Sequence, residues 1–169
     1  ADITMLERGR DVSFSNCALP YFLGGEIEDA DTLRLLDPQT FWDHYRIKAL
    51  PLHEALSINR QEKTVRVRDL QNNVETDMPY DLLYLSPGAS PIMPKSIEGI
   101  DLVHVFSVRN VQDVEKIAEW LDTKQVKKAA VIGGGFIGVE VMENLVGKGL
   151  QVSLIDMAPQ VMMPFDHDM

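Results

Sequence analysis

Short apolar runs separated by polar turns occur along most of the chain, a pattern that predicts a mixed α/β fold. Two of these runs share one order of residue types. Ile3 to Glu7 and Val152 to Asp156 each read apolar, polar, apolar, apolar, acid. Because strands of a parallel sheet covered on both faces have such apolar runs, we expect two buried parallel strands, each ending at a carboxylate.

Three segments between these runs have features of helices. A short helix that ends at a Gly-Gly pair is expected within residues 13–25. Asp37-Pro38 combines an N-cap acid with a proline in the first turn, and it predicts a helix through Tyr45. The apolar spacing from Val111 to Leu121 predicts an amphipathic helix.

The middle of the chain has the alternation of β-strands. Ala55 to Ile58, Thr64 to Arg68 and Val74 to Thr76 are separated by polar turns, which predicts a small antiparallel β-meander. Leu82 to Leu85 predicts a short buried strand before a stiff, proline-containing connector.

A glycine motif follows the apolar strand that ends at Ile132. Gly133, Gly135 and Gly138 form G-x-G-x-x-G, and Asp156 lies 156 − 133 = 23 positions after the first glycine. Strand, glycine loop, helix, strand and acid together are typical of a dinucleotide-binding βαβ unit, here residues 128–156.

Each part of the glycine motif has a physical task in that unit. Gly133 permits the tight turn, Gly135 lets the backbone approach a pyrophosphate, and Gly138 permits close contact of helix and strand. The loop continues through Phe136 and Ile137, where the free amides and positive end of the helix would hold the phosphates.

Asp156 is expected to accept hydrogen bonds from the adenosine ribose. A 2′-phosphate at ~4 Å would be repelled by about 4 kcal/mol per charge pair at an effective dielectric constant of ~20. No Lys or Arg follows Asp156 to neutralise such a phosphate. The sequence therefore predicts that NADH is preferred over NADPH.

Composition narrows the classes of function. The formal net charge is 16 − 26 = −10, which disfavours nucleic-acid binding. No stretch of 18 apolar residues and no signal-peptide pattern occurs, and the chain has one cysteine, so we expect a cytoplasmic protein without membrane spans. The histidines lack metal-ligand spacing, and no metal site is expected.

Cys17, the single cysteine, is expected at the start of the predicted short helix. A lone cysteine is either a small buried apolar residue or a reactive thiol, and the start of a helix favours the thiolate form. Without a second cysteine, a reactive Cys17 would pair with a substrate sulfur or become a sulfenic acid.

The two similar strands also predict how the chain is organised. The glycine loop that would correspond to Glu7 falls before residue 1, because 7 − 23 is negative. We interpret residues 1–104 as part of one nucleotide-binding domain that lacks its first βα unit. Residues 105–169 are interpreted as the start of a second such domain, so both domains are expected to be truncated.

The segment from Ser13 to Tyr21, with Cys17 at its centre, resembles the coenzyme A-disulfide reductases of the pyridine nucleotide-disulfide oxidoreductase family. The resemblance continues through residues 53–55, 80–89 and 133–156. It implies three-layer, Rossmann-like FAD- and NAD(P)-binding domains in a homodimeric flavoprotein.

The resemblance also implies roles for individual residues. Cys17 is the redox nucleophile, and Glu140 is an acid of the NAD-binding helix. Coenzyme A contacts are Ser13, Asn16 and a basic residue for which Arg46 is the candidate. The implied FAD contacts are Glu7, Arg8, Ala55, Ser86, Pro87, Gly88 and Ala89.

The implied reaction passes a hydride from NADH through FAD to a mixed disulfide between Cys17 and a small molecule. The substrate would be coenzyme A disulfide or a related low-molecular-weight disulfide or persulfide, and the chain alone is expected to have little turnover and weak FAD binding. One alternative is an NADH oxidase or peroxidase that uses a Cys17 sulfenic acid. Another is a non-catalytic nucleotide-binding module.

Overall fold

The computed structural model describes residues 1–166, so His167 and the two residues after it lie outside the description. A 3-10 turn at Asn16–Ala18 precedes the first helix, and a second 3-10 turn spans Ala30–Leu33. In chain order the main elements are β1 (Ile3–Leu6), α1 (Leu19–Gly24), α2 (Pro38–Tyr45), β2 (Ile47–Leu50), β3 (His53–Asn59), β4 (Thr64–Asp69), β5 (Val74–Pro79), α3 (Val111–Thr123), β6 (Lys128–Ile132), α4 (Phe136–Gly147) and β7 (Gln151–Ile155).

The chain forms two compact units. The first unit contains residues 1–14 and 34–89, and the second contains residues 15–33 together with the chain from Ser90 onward. The cysteine-bearing segment therefore packs with the second unit, although it lies early in the sequence. The division into two nucleotide-binding domains at residues 104 and 105 stays a prediction.

The first unit contains two small sheets. Strands β1 and β2 are parallel, in register from Ile3↔Ile47 to Leu6↔Leu50. The predicted antiparallel meander is confirmed, with β4 between β3 and β5. Val65 and Val67 of β4 are buried, at 4% and 1% exposure, and Arg66 between them is exposed, because successive side chains of a strand point to opposite faces of the sheet.

The second unit is built around the predicted βαβ unit, which is confirmed. Strands β6 and β7 are parallel, and α4 connects them and packs on both. Helix α1 packs against α3 and α4. Leu23 of α1 and Val111 and Val114 of α3 are fully buried, and each such side chain contributes about 1.5–3 kcal/mol by leaving water.

Helix ends follow the sequence signals. Asp37 accepts a hydrogen bond from the Thr40 amide at 2.7 Å, which caps α2 and lowers the pKa of Asp37. Gly25 ends α1 with φ of +86°, a left-handed conformation that glycine adopts without strain. The helices predicted within residues 13–25, from Pro38 to Tyr45 and from Val111 are thus confirmed.

Two predictions about buried strands are wrong. Leu82 to Leu85 is not a strand, and Leu82 and Tyr84 are 85% and 91% exposed. No described residue pairs with this run, and an apolar run forms a strand only when its backbone groups find partners. The strands predicted from Ile3 to Glu7 and from Val152 to Asp156 do form and are parallel to their partners, but they are not buried. Ile3 of β1 and Ile155 of β7 are about half exposed because each two-stranded sheet is covered only in part.

The α/β class and the small antiparallel sheet are confirmed. Within residues 1–166, no helix has the length and apolar character needed to cross a bilayer.

Candidate functional site

The glycine loop of the second unit is tied to the end of β7. Gly133 has φ of +106°, which only glycine adopts without strain, and its N–H donates to the Ile155 carbonyl at 2.8 Å. A Cβ on Gly138 would lie 1.8 Å from the Gly133 carbonyl oxygen. Residue 138 must therefore be glycine if α4 is to start this close to β6.

The start of α4 faces open space. A Cβ on Gly135 would meet nothing within 4 Å, and α4 has no side-chain capping bond at Gly135. The next residues, Phe136 and Ile137, are 52% and 60% exposed. Free amides and the positive end of a helix beside a glycine can hold a pyrophosphate, so this loop fits a dinucleotide.

The Asp156 carboxylate is held by backbone amides. Its Oδ2 accepts from the Gly134 amide, and its Oδ1 accepts from the Ala158 amide at 2.6 Å. These bonds, that from Gly134 first, lower the pKa of Asp156 below its usual 3.8. The exposed carboxylate keeps lone pairs that can accept from ribose hydroxyls.

Gly134 contributes to the geometry of this candidate site, although the sequence motif assigns it no task. A Cβ at residue 134 would lie 2.9 Å from Val161 Cγ1 and 3.2 Å from the Asp156 carboxylate. A side chain on residue 134 would therefore require Val161 and the Asp156 carboxylate to shift. The residue occupies a variable position of G-x-G-x-x-G, so the motif itself gives no signal for this role.

The chain after Asp156 returns to the glycine loop. The Met162 N–H donates to the Gly134 carbonyl at 2.7 Å, and the Phe165 ring packs edge-on against Phe136 with centroids 5.8 Å apart. Glu140 lies one turn further along α4 and is half-buried. The second unit thus brings together the glycines, Asp156 and the start of α4.

Cys17 lies in the middle of the 3-10 turn that leads into α1, and its thiol is free and exposed. Leu19 and Leu23 of α1 are buried, and they anchor the helix that follows this turn. Asn16, directly before the cysteine, accepts a hydrogen bond at its Oδ1 from Arg109 Nη1 at 3.0 Å. No local pattern indicates a role for Arg109, because 93 positions separate it from Asn16.

In the first unit, Glu7 is fixed at the carboxyl end of β1. Its N–H donates to the Leu50 carbonyl at 3.0 Å, and its carbonyl accepts from the His53 N–H at 2.9 Å. The carboxylate itself accepts from the Gly9 amide. This position, at the end of a parallel strand, fits an acid that contacts a ribose.

Two further candidate residues are Arg8, which follows β1, and Ala55, which lies on β3. The Arg8 guanidinium lies 3.8 Å from the Glu54 carboxylate, at the edge of β3. Ala55 follows on β3, and the register shift after it leaves Leu56 as the extra residue of a β-bulge. Bulges are frequent next to binding sites because they redirect the strand, and the sequence did not predict this one.

The other predicted site residues of the first unit lie in exposed or irregular backbone. Ser86 to Ala89 is exposed and has no regular structure, and Gly88 has φ of +71°. The Ser13 carbonyl accepts from the Leu35 N–H at 3.1 Å. Arg46 ends α2 with φ of +57°, and its guanidinium lies 5.6 Å from the centre of the Trp42 ring.

In the described part of the chain, no group of three or more His, Cys, Asp or Glu side chains is arranged to hold a metal ion.

Comparison with known proteins identifies relatives along the whole chain. A coenzyme A disulfide reductase of Staphylococcus haemolyticus is 38% identical over 169 residues, all of this chain. The chain spans 38% of that relative's length. A coenzyme A disulfide reductase of Staphylococcus aureus is 37% identical over the same residues.

Solved structures have the same fold. Reduced CoADR-RHD of Bacillus anthracis matches with a TM-score of 0.95 and 42% identity over 99% of this chain, which corresponds to 30% of that protein. An NAD-dependent persulfide reductase from A. fulgidus is 36% identical, with a TM-score of 0.92 over 99% of this chain and 31% of its own.

A third solved structure is the water-forming NADH oxidase of Lactobacillus brevis bound to NADH. It is 36% identical, with a TM-score of 0.90 over 99% of this chain and 37% of its own. The family model for pyridine nucleotide-disulphide oxidoreductases matches residues 1–169. The chain therefore belongs to the pyridine nucleotide-disulphide oxidoreductase family.

Proposed function

We propose that the protein containing this chain is an FAD-dependent reductase of small disulfides. It would use NADH to reduce coenzyme A disulfide, or a related low-molecular-weight disulfide or persulfide, at Cys17. The observation that carries the proposal is the position of Cys17. The only thiol of the chain is exposed in a tight turn rather than packed in the core.

The glycine loop fits the adenosine half of NADH. The start of α4 would hold the pyrophosphate through its amides, and Asp156 would accept from the ribose hydroxyls. Residues 157–166 contain no Lys or Arg that could neutralise a 2′-phosphate near Asp156. These features support NADH over NADPH.

The first unit fits part of an FAD site. Glu7 stands at the end of a parallel strand, as Asp156 does in the second unit, and would contact the flavin-side adenosine ribose. Arg8, Ala55 and the exposed turn from Ser86 to Ala89 would contribute other contacts. When bound, FAD would accept a hydride from NADH and deliver two electrons to a disulfide.

The proposed reduction of the small disulfide at Cys17 has two steps. The Cys17 thiolate attacks one sulfur of the small disulfide, forms a mixed disulfide and releases the first thiolate. Two electrons that originate from NADH cleave the mixed disulfide, release the second thiol and restore the Cys17 thiolate. One NADH and one proton are consumed for each disulfide, and two thiols and NAD⁺ are formed.

The similarity to known proteins supports this substrate class. The two coenzyme A disulfide reductases align with the whole of this chain, and 37–38% of the aligned residues are identical. The A. fulgidus protein is a persulfide reductase, which supports a persulfide as the second substrate type. Both substrates present a sulfur–sulfur bond that a single thiolate can attack.

The direct test is Cys17→Ser in the full-length protein. We expect NADH-dependent reduction of coenzyme A disulfide to fall by at least about 10³-fold, because a hydroxyl cannot form the mixed disulfide. Reduction of an artificial dye by NADH should be retained, since that reaction needs no thiol, and it serves as the internal control. Unchanged disulfide reduction by the variant would refute the proposal.

The second candidate function is NADH oxidase, which the match to the Lactobacillus brevis enzyme favours. In that reaction Cys17 would cycle through a sulfenic acid instead of a mixed disulfide. NADH consumption that depends on oxygen and is insensitive to added disulfide would favour this candidate.

A further inference from the structure

A side-chain hydrogen bond joins the cysteine-bearing turn to the residue just before α3. Arg109 Nη1 donates to Asn16 Oδ1 at 3.0 Å, and both residues belong to the second unit. Asn16 precedes Cys17 and is exposed. The bond therefore holds the side chain next to the only thiol of the chain.

The chemistry of the pair fixes which end of the Asn16 amide is presented to solvent. A guanidinium has five donors and no acceptor, so the atom facing Arg109 must be the carbonyl oxygen. The Nδ2 group, with two N–H donors, is then directed elsewhere, and no described residue accepts a hydrogen bond from it. The residue that precedes Cys17 therefore keeps an exposed amide donor.

Arg109 itself emerges from a rigid position. Its backbone N–H donates to Asp113 Oδ2 at 3.0 Å. Asp113 and Asn110 form a reciprocal capping box at the start of α3. Val111 and Val114 are fully buried just after it. The guanidinium is therefore presented by a well-anchored helix start.

We infer that Arg109 is a positioning residue of the proposed reductase. It orients Asn16 so that Nδ2 donates to an acceptor atom of the small disulfide while Cys17 attacks the sulfur. An amide or phosphate oxygen of the bound molecule is the chemical class of acceptor that such a donor recognises. This inference rests on the proposed function.

The energetics separate this role from a structural one. An exposed hydrogen bond contributes little to folding, because water replaces it in the unfolded chain. The same bond costs a great deal to lose if it orients a group that contacts the substrate. Loss of Arg109 should therefore reduce disulfide reduction more than it reduces stability.

The test uses the full-length protein with three variants: Arg109→Met, Asn16→Asp and the double variant Arg109→Met with Asn16→Asp. Asn16→Asp keeps an oxygen acceptor for Arg109 but removes the amide donor. Arg66→Met is the control, since it removes an arginine of the first unit whose guanidinium also donates side-chain hydrogen bonds, in this case to the Asp77 carboxylate. The measured quantities are kcat/KM for coenzyme A disulfide and the rate of flavin reduction by NADH.

We expect each single variant to lower kcat/KM for the disulfide about tenfold, with flavin reduction by NADH unchanged. The double variant should lose no more than the worse single variant, because Arg109 acts through Asn16. Arg66→Met should match the wild type. Arg109→Lys should restore part of the loss, since it keeps a donor.

Three outcomes would overturn the inference. They are full kcat/KM in Arg109→Met, full kcat/KM in Asn16→Asp, and multiplied losses in the double variant. An equal loss in flavin reduction would also count against it, because it would show a general structural effect. Failure of the proposed function is distinguishable, since the wild type would then not reduce coenzyme A disulfide at all.

Discussion

The two units build their candidate nucleotide sites in different ways. In the second unit, one continuous stretch from Gly133 to Asp156 supplies the glycine loop, the helix start and the acid. In the first unit, the corresponding candidates come from three separate segments: residues 7–8, residue 55 and residues 86–89. A site made from contiguous chain is fixed by local geometry, whereas a dispersed site depends on tertiary packing.

The second unit also buries more apolar side chains than the first. Among the described residues, the second unit buries seven leucine and valine side chains, and six of them belong to α1, α3 and α4: Leu19, Leu23, Val111, Val114, Val141, Leu145 and, from the second 3-10 turn, Leu33. The first unit buries Ala49, Val65 and Val67. The helices that carry the cysteine turn and the glycine loop thus share the larger core.

The largest expected effect is on the core of the second unit. Leu23→Ala removes a fully buried side chain between α1 and its neighbours, and it should cost about 3 kcal/mol of unfolding free energy. The chain has two tryptophans, Trp42 in the first unit and Trp120 in the second. In a Trp42→Phe background, the fluorescence of Trp120 therefore reports the unfolding of the second unit.

Leu35→Ala is the control for this prediction. Leu35 is 59% exposed and belongs to the first unit, so its truncation should leave the Trp120 transition unchanged. A similar shift in both variants would show that the cores of the two units are not separable as the packing indicates.

The next largest effect is expected at the glycine loop. Gly138→Ala should weaken NADH binding roughly hundredfold, because the new Cβ would overlap the Gly133 carbonyl and displace the start of α4. Isothermal titration calorimetry on the full-length protein measures this affinity. Gly147→Ala is the matched control on the same helix, since a Cβ there meets nothing within 4 Å. Equal affinities in both variants would contradict the role given to Gly138.

The smallest of the three effects concerns the acid. Asp156→Asn should lower NADH affinity about tenfold and narrow the preference over NADPH, because the amide accepts fewer hydrogen bonds and does not repel a phosphate. Asp101→Asn, an exposed acid of a turn, should change neither affinity. An unchanged ratio of the NADH and NADPH affinities in Asp156→Asn would show that Asp156 does not contribute to the preference for NADH.

The pH dependence of this difference follows from the pKa of Asp156. Backbone hydrogen bonds lower that pKa below 3.8, so the carboxylate is fully ionised near neutral pH. The advantage of the wild type over Asp156→Asn in NADH affinity should therefore be constant around neutral pH. It should disappear as the pH falls through the lowered pKa. A loss of the advantage near pH 6 would show that another group titrates.

The sequence predicted those parts of the fold that depend on neighbours along the chain. The βαβ unit can be predicted because its glycines, helix and acid lie at fixed spacing. The start of α2 can be predicted because Asp37 and Pro38 act on the next few residues. The meander can be predicted from the alternation of apolar and polar residues and from the polar turns. Local rules were sufficient in each case.

The remaining features depend on tertiary contacts. Leu82 to Leu85 has the composition of a strand, but no described residue pairs with it, and composition alone does not show this. The bond from Gly134 to Asp156 arises only when the loop and the end of β7 meet. The bond from Arg109 to Asn16 joins residues 93 positions apart, and no periodicity indicates it.

The most direct test of Cys17 as the nucleophile is peptide mass mapping of the full-length protein after exposure to coenzyme A disulfide without NADH. We predict one coenzyme A moiety on the peptide that contains Cys17, and its complete removal when NADH is added. A stable sulfenic acid on Cys17 with no adduct, or a Cys17 that remains unmodified, would contradict the account.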